Sequence, residues 1–113
     1  MKSCYTPEEG DIVWLNFTPQ SGHEQAGRRP AVVLSPLAYN QRSGLIVCVP
    51  ITSQVKGYPF EVPLNGGGAL GVALADQIKS LDWKSRQAER KGQATAAELA
   101  DIKARIKALL KLP

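Results

Sequence analysis

The feature of this chain that most constrains its fold is a change in the spacing of apolar residues. Over most of the sequence, β-branched and aromatic residues form short segments bounded by Gly and Pro, which is typical of strands. The candidate strands are residues 11–17, 30–36, 45–52, 60–64, 71–78 and, with a weaker pattern, 86–91, which closes on a turn at Gly92. Near the C-terminus the apolar residues instead recur at helical spacing. The sequence therefore predicts several strands followed by one helix.

The predicted helix covers residues 96–112, because Thr95 and Glu98 have the spacing of a capping box. Short strands at close spacing followed by one helix favour a small, strongly bent antiparallel sheet or partial barrel with the helix packed beside it. A chain of 113 residues is long enough for one compact domain and too short for two ordinary ones. Residues 1–113 are therefore predicted to form a single domain.

Composition excludes several classes of protein. Hydrophobic residues make up 43% of the chain and charged residues 21%, which is the balance of a soluble globular protein. No apolar run approaches the roughly 18 residues of a membrane span, and no apolar stretch follows Lys2 as in a signal peptide. Two cysteines, Cys4 and Cys48, are too few for a cystine scaffold. We therefore expect a protein of the reducing cytoplasm that does not bind a membrane.

Positive charge is concentrated towards the C-terminus. Residues 1–83 hold six Lys and Arg against seven Asp and Glu, whereas residues 84–113 hold eight against three. The C-terminal part is thus positive by five charges, which favours a polyanion or an acidic protein as partner. A solvated Lys/Arg face of the helix is the alternative interpretation.

The densest group of chemically active side chains lies between the first two predicted strands. Residues 18–29 are almost all polar or Gly, and they include His23, Glu24, Arg28 and Arg29. So long a loop in a small domain is usually functional or disordered. A carboxylate beside guanidinium groups can move a proton next to a phosphate, although a surface salt-bridge cluster has the same composition.

Thr52 is a further candidate because it ends the third predicted strand. A hydroxyl at that position can donate to an oxyanion, and a Thr there is also a common turn former. Gly66, Gly68 and Gly71 match G-x-G-x-x-G, but a strand rather than a helix is predicted after them, so no phosphate-binding helix N-terminus follows. One His, two distant Cys and scattered carboxylates indicate no metal site and no cofactor.

Four segments resemble the MazF/PemK toxins. They are GDIVW at 10–14, GHEQAGRRPAVVLSP at 22–36, VPITSQVKGYPFEV at 49–62 and GVALADQIKSLDW at 71–83. The match runs in the family's order over nearly the whole chain. It implies a small SH3-like antiparallel barrel with a C-terminal α-helix, of the CcdB/MazF type, that works as a homodimer.

The resemblance also implies an activity, which is sequence-specific, metal-independent cleavage of single-stranded RNA by an endoribonuclease that inhibits translation. The implied partner is a MazE-like acidic antitoxin. The family motifs place the catalytic residues at Glu24, Arg29 and Thr52. The 2′-hydroxyl of the RNA would attack the adjacent phosphorus to give 2′,3′-cyclic phosphate and 5′-hydroxyl ends.

In this mechanism Glu24 accepts the 2′-hydroxyl proton, while Arg29 and Thr52 stabilise the negative charge that develops on the phosphate oxygens. Arg29 is a poor proton donor because of its high pKa, and His23 has an ordinary pKa near neutrality, so the identity of the general acid stays open. The predicted RNA-binding residues are Arg28, Lys56, Tyr58, Gln77 and Lys79.

Three other interpretations remain at this point. A CcdB-like poison would share the barrel and inhibit DNA gyrase through protein contacts, without needing an anion clamp beside a base. A non-catalytic SH3-like binding module would present an aromatic groove, whereas aromatic residues are only 6% of this chain. A toxin homologue without catalytic activity would keep the same motifs.

Overall fold

The computed structural model describes residues 5–17, 27–65 and 71–113. Within these ranges the chain forms seven strands and two helices. The strands are β1 (Asp11–Asn16), β2 (Arg28–Val33), β3 (Leu45–Thr52), β4 (Glu61–Leu64), β5 (Gly71–Leu74), β6 (Lys79–Asp82) and β7 (Glu89–Gln93). The helices are α1 (Leu37–Ser43) and α2 (Ala96–Leu110).

The strands pair antiparallel in the order β4-β5-β3-β2-β1-β7, with β6 paired to β3. The central strand is β3, as its continuous apolar sequence predicts. One edge of β3 pairs with β2, and the other edge carries β6 along its first half and β5 at its end. This half-barrel of antiparallel strands with a C-terminal helix confirms the predicted fold class.

Both faces of the sheet are covered by apolar side chains. One cluster, around Ile12, Val32 and Val49, is closed by Ile102 of α2, which is fully buried. The other cluster lies on the opposite face and includes Trp83. The sheet is therefore packed against apolar side chains on both faces.

The capping box predicted for α2 is present, since the Thr95 hydroxyl accepts from the Glu98 amide and the Glu98 carboxylate accepts from the Thr95 amide. The helix ends at Leu110, two residues before the predicted end, where Lys111 adopts the left-handed conformation that commonly terminates helices. None of the helices in the described ranges is long and apolar enough to cross a membrane.

Helix α1 was not predicted from the sequence. The expected strand 30–36 ends at Val33, and Pro36 is instead the N-cap of α1. The only buried residue of α1 is polar, Asn40, so no apolar period marks the helix.

The expected strand 71–78 was also wrong in its extent, because it ends at Leu74 and a separate strand, β6, follows at Lys79–Asp82. The mostly polar β6 pairs with the edge of β3, and its Leu81 packs against the cluster that includes Trp83. The predicted turn at Gly92 is wrong, since Gly92 lies inside β7 and pairs with Ile12.

Candidate active site

The pairing of β2 with β3 places two of the predicted catalytic residues at one end of the sheet. Ala31 lies opposite Pro50, with Val32 opposite Val49 in the same antiparallel register. The pairing ends there, and Arg29 and Thr52 each lie two residues further along their strand, towards the same end of the sheet. Side chains two residues apart on a strand point to the same face. Both side chains therefore project from the same face of the sheet at the ends of β2 and β3.

The two adjacent arginines have different environments, because successive residues of a strand point to opposite faces. Arg29 is exposed, and its guanidinium makes no hydrogen bond or ion pair within the described part of the chain. Arg28 is half-buried and donates to the Gln87 carbonyl at 2.6 Å, to Asn16 Oδ1 at 3.2 Å and to Glu89 Oε1 at 3.2 Å. The structure thus leaves Arg29 available to an anion, whereas Arg28 joins β1 to the β7 side of the sheet.

The Thr52 hydroxyl is oriented by its own backbone. Thr52 Oγ1 accepts from the Gln54 amide at 3.1 Å, a local turn that holds the oxygen in place. Among the residues that the structure describes, the hydroxyl hydrogen has no acceptor. Thr52 therefore forms the turn and also keeps a hydroxyl hydrogen to donate to an anion, so its two predicted functions are compatible.

A small pocket of about 120 Å³ opens beside Thr52. Its polar lining contains three of the predicted RNA-binding residues together with two residues that sequence reasoning missed. The predicted ones are Lys56, Tyr58 and Gln77, and the missed ones are Gln54 and Glu61. The structure thus brings these three to Thr52, although they come from connections after β3 and β5.

Two carboxylates shape this pocket. The Tyr58 hydroxyl donates to Asp76 Oδ1 at 3.0 Å, and this hydrogen bond is the largest cause that raises the pKa of Tyr58. Glu61 is buried and accepts from the backbone amides of Lys56 and Gly57. Nothing in the sequence singled out either carboxylate, because burial and hydrogen bonds to backbone amides become visible only in the structure.

Lys79 lies further along the same face. It is the first residue of β6 and pairs with Cys48 of β3, and side chains of β3 alternate, so Cys48 and Thr52 point to one face. Four residues of strand separate them by about 13 Å. Lys79 thus lies apart from Thr52, and its predicted function in RNA binding stays a prediction from the sequence.

The thiol of Cys48 is buried on β3, the strand that carries Thr52, and is not a candidate catalytic group. Burial raises the pKa of Cys48 to about 12, and the Lys79 and Arg86 cations only partly oppose this effect. The thiol stays protonated at neutral pH and is not a nucleophile.

Glu24 and His23 lie outside the described residues, so their assigned functions stay predictions from the sequence. In the described ranges no group of three His, Cys, Asp or Glu side chains is close enough together to hold a metal ion.

Comparison with known proteins gives consistent matches over nearly the whole chain. A family model described as a PemK-like, MazF-like toxin of type II toxin-antitoxin system matches residues 8–110. The chain is 54% identical over 110 residues to the endoribonuclease toxin MazF of Escherichia coli K12, covering 97% of this chain and 99% of that protein. It is 39% identical over 109 residues to the endoribonuclease toxin ChpB of the same organism, covering 91% and 93%. The MazF chain in a crystal structure of MazE-MazF from Deinococcus radiodurans superposes with a TM-score of 0.92 at 54% identity, covering 97% of this chain and 100% of that one.

Proposed function

Because the chain belongs to the PemK-like, MazF-like toxins of type II toxin-antitoxin systems and is an endoribonuclease, we propose that it cuts single-stranded RNA where Arg29 faces Thr52. The observation that carries the proposal is the convergence at this strand end of an unpaired guanidinium, an oriented hydroxyl and the pocket lined by Lys56 and Tyr58. Arg29 and Thr52 provide two hydrogen-bond donors for a phosphate. Lys56 and Tyr58 provide a cation and an aromatic ring for the adjoining nucleotides.

The proposed reaction uses the nucleophile that RNA itself carries. Glu24 removes the proton of the 2′-hydroxyl, whose oxygen then attacks the adjacent phosphorus and expels the 5′-oxygen of the next nucleotide. Arg29 and Thr52 donate hydrogen bonds to the non-bridging oxygens, on which negative charge grows. The products are a 2′,3′-cyclic phosphate and a 5′-hydroxyl end, and no metal ion is required.

Protonation of the departing 5′-oxygen needs a general acid. A guanidinium is too weak an acid for this task, so we assign Arg29 the phosphate charge alone. His23 is the residue to test as the acid, because an imidazole ordinarily titrates near neutral pH.

We further propose that an acidic MazE-like antitoxin inhibits the enzyme by covering this surface. Solved relatives include MazE-MazF complexes from Deinococcus radiodurans. The excess of Lys and Arg over residues 84–113 of this chain suits an acidic ligand. The proposal includes a homodimer of single-domain chains, spanning residues 1–113, that acts in the cytoplasm and arrests translation by cutting RNA.

The endoribonuclease relatives favour this function over a gyrase poison or a non-catalytic SH3-like module. The direct test is incubation of the purified protein with a long single-stranded RNA in EDTA, followed by mapping of the fragment ends. We expect discrete cuts with 5′-hydroxyl ends, and we expect Glu24→Gln to lose them. Cleavage that needs added divalent metal, or that Glu24→Gln performs at the parent rate, would contradict the proposed mechanism.

A further inference from the structure

The loop of residues 53–60, between β3 and β4, carries two of the side chains in the pocket beside Thr52. It contains no strand or helix, so no ladder of backbone hydrogen bonds fixes its shape. Lys56 is exposed and Tyr58 is half-buried, and both line the pocket. The position of these two side chains therefore depends on whatever holds the loop in this conformation.

Glu61 supplies the restraint at residues 56–58, while other hydrogen bonds tie Gln54 to Thr52, the Tyr58 hydroxyl to Asp76 and Phe60 to Ala75. It is the first residue of β4 and only 8% exposed. Its Oε2 accepts from the Lys56 amide at 2.9 Å and its Oε1 accepts from the Gly57 amide at 2.8 Å. Its own amide donates to the Tyr58 carbonyl at 3.1 Å. One residue thus binds three consecutive residues of the loop.

The chemistry of these bonds favours a carboxylate at this position. An ionised carboxylate accepts at both oxygens, and hydrogen bonds to a charged acceptor are about twice as strong as neutral ones. A buried carboxylate is costly unless such bonds compensate its desolvation. With both oxygens bound to backbone amides, this carboxylate acts on the shape of the loop.

We propose that Glu61 is a positioning residue for RNA binding. It holds the 53–60 loop so that Lys56 and Tyr58 face Thr52, and it thereby sets the affinity for the nucleotides flanking the cut and the choice of cut site. It does not touch the reacting phosphate. The inference rests on the proposed endoribonuclease function.

The informative substitution is Glu61→Gln, which keeps the size of the side chain. An amide retains one acceptor oxygen and replaces the other with an NH₂ donor, which cannot accept from a backbone amide. One of the two bonds to the loop is lost and a donor then faces a donor. We expect residues 56–58 to shift, while Thr52 and its turn to Gln54 at the start of the loop stay unchanged.

A matched control is Glu98 of α2, which binds the residue that follows β4. Glu98 also accepts from two backbone amides, those of Thr95 at 2.9 Å and Asn65 at 2.7 Å. Glu98→Gln makes the same chemical change in a side chain that does not line the pocket. A loss that is only structural would affect both variants alike.

The experiment measures steady-state cleavage of a short RNA oligonucleotide that spans a mapped cut site, in EDTA, with the cut sites of a long RNA mapped in parallel. For Glu61→Gln we expect KM to rise about ten-fold with kcat within about two-fold of the parent, and a broader set of cut sites. Glu98→Gln should keep the parent's KM and cut sites. An unchanged KM and cleavage map in Glu61→Gln, or a fall in kcat alone, would overturn the proposal.

A second variant reaches the loop without changing the buried carboxylate. Gly57 has φ +84° and open space where a Cβ would lie, so Gly57→Ala strains the backbone without a clash. Gly44, at φ +76° with equally open space, gives the matched control at the far end of β3. We expect Gly57→Ala to raise KM and Gly44→Ala to leave it unchanged, and equal effects would overturn the proposal. If the parent, Glu98→Gln and Gly44→Ala all fail to cut RNA, the proposed endoribonuclease function itself is wrong. That outcome is distinct from an unchanged KM in Glu61→Gln, which would overturn only the positioning function of Glu61.

Discussion

Replacing the two adjacent arginines one at a time should separate stability from catalysis. Arg28→Ala removes a 2.6 Å bond to the Gln87 carbonyl and 3.2 Å bonds to Asn16 and Glu89. The Glu89 side chain is 72% exposed, so that ion pair contributes only about 0.2–1 kcal/mol. With about 1 kcal/mol for the Gln87 bond and less for Asn16, the free energy of unfolding should fall by about 2 kcal/mol.

Arg29→Ala should leave the stability nearly unchanged and lower the cleavage activity. Its guanidinium has no partner in the described residues, so the free energy of unfolding should change by less than about 0.5 kcal/mol. Loss of one donor to the reacting phosphate should lower kcat by about 10²–10³-fold.

The assay pairs urea unfolding with single-site RNA cleavage on the same preparations. At an m value of about 1.3 kcal/mol/M, the predicted loss in Arg28→Ala moves the urea midpoint down by about 1.5 M. The activity of the folded Arg28→Ala protein should stay within a few fold of the parent. An unchanged midpoint with a raised KM in Arg28→Ala would show that Arg28 binds RNA, as the sequence suggested, and would refute the structural function argued here.

Three further predictions follow from single groups. Thr52→Val should lower kcat about 10²-fold and Thr52→Ser should restore most of it, because only the hydroxyl donates to the phosphate; equal rates for both variants in the cleavage assay would contradict this. Asn40→Ala should lower the free energy of unfolding by about 3 kcal/mol in urea melts, since the fully buried Asn40 side chain makes three hydrogen bonds to Ser35 and Pro7. As a control, Asn65→Ala should change the free energy of unfolding little, because Asn65 is exposed. Stability should fall as pH rises above about 9, because burial raises the pKa of Cys48 to about 12, so that the folded chain holds a proton that the unfolded chain releases; a urea midpoint constant between pH 8 and pH 11 would contradict this.

Much of the fold could be predicted because local signals agree with the tertiary structure. The apolar run of β3 identifies the central strand, and Thr95 with Glu98 marks the start of α2. Helix α1 could not be found this way, because its one buried residue is a polar Asn40 held by side-chain hydrogen bonds. Strand β6 has no strand pattern of its own and depends on the edge of β3.

The site divides in the same way. Residue type and motif were enough to select Arg29, Thr52 and Lys56, whereas their meeting at one strand end depends on register and loop shape. The difference between Arg28 and Arg29 could not be predicted, because two identical neighbours differ only in the face of the strand from which they project. The function of Glu61 depends on burial and on bonds to backbone amides, which a sequence does not display.

The most direct test of the central claim, that RNA supplies the nucleophile while Arg29 and Thr52 stabilise the phosphate, is made on the substrate. Two oligonucleotides spanning a mapped cut site are compared in EDTA, one all-ribose and one with a single 2′-deoxy nucleotide immediately 5′ of the cut. The account predicts that the first is cut to a 2′,3′-cyclic phosphate and that the second is bound but left intact. Cleavage of the 2′-deoxy oligonucleotide at a comparable rate would contradict it.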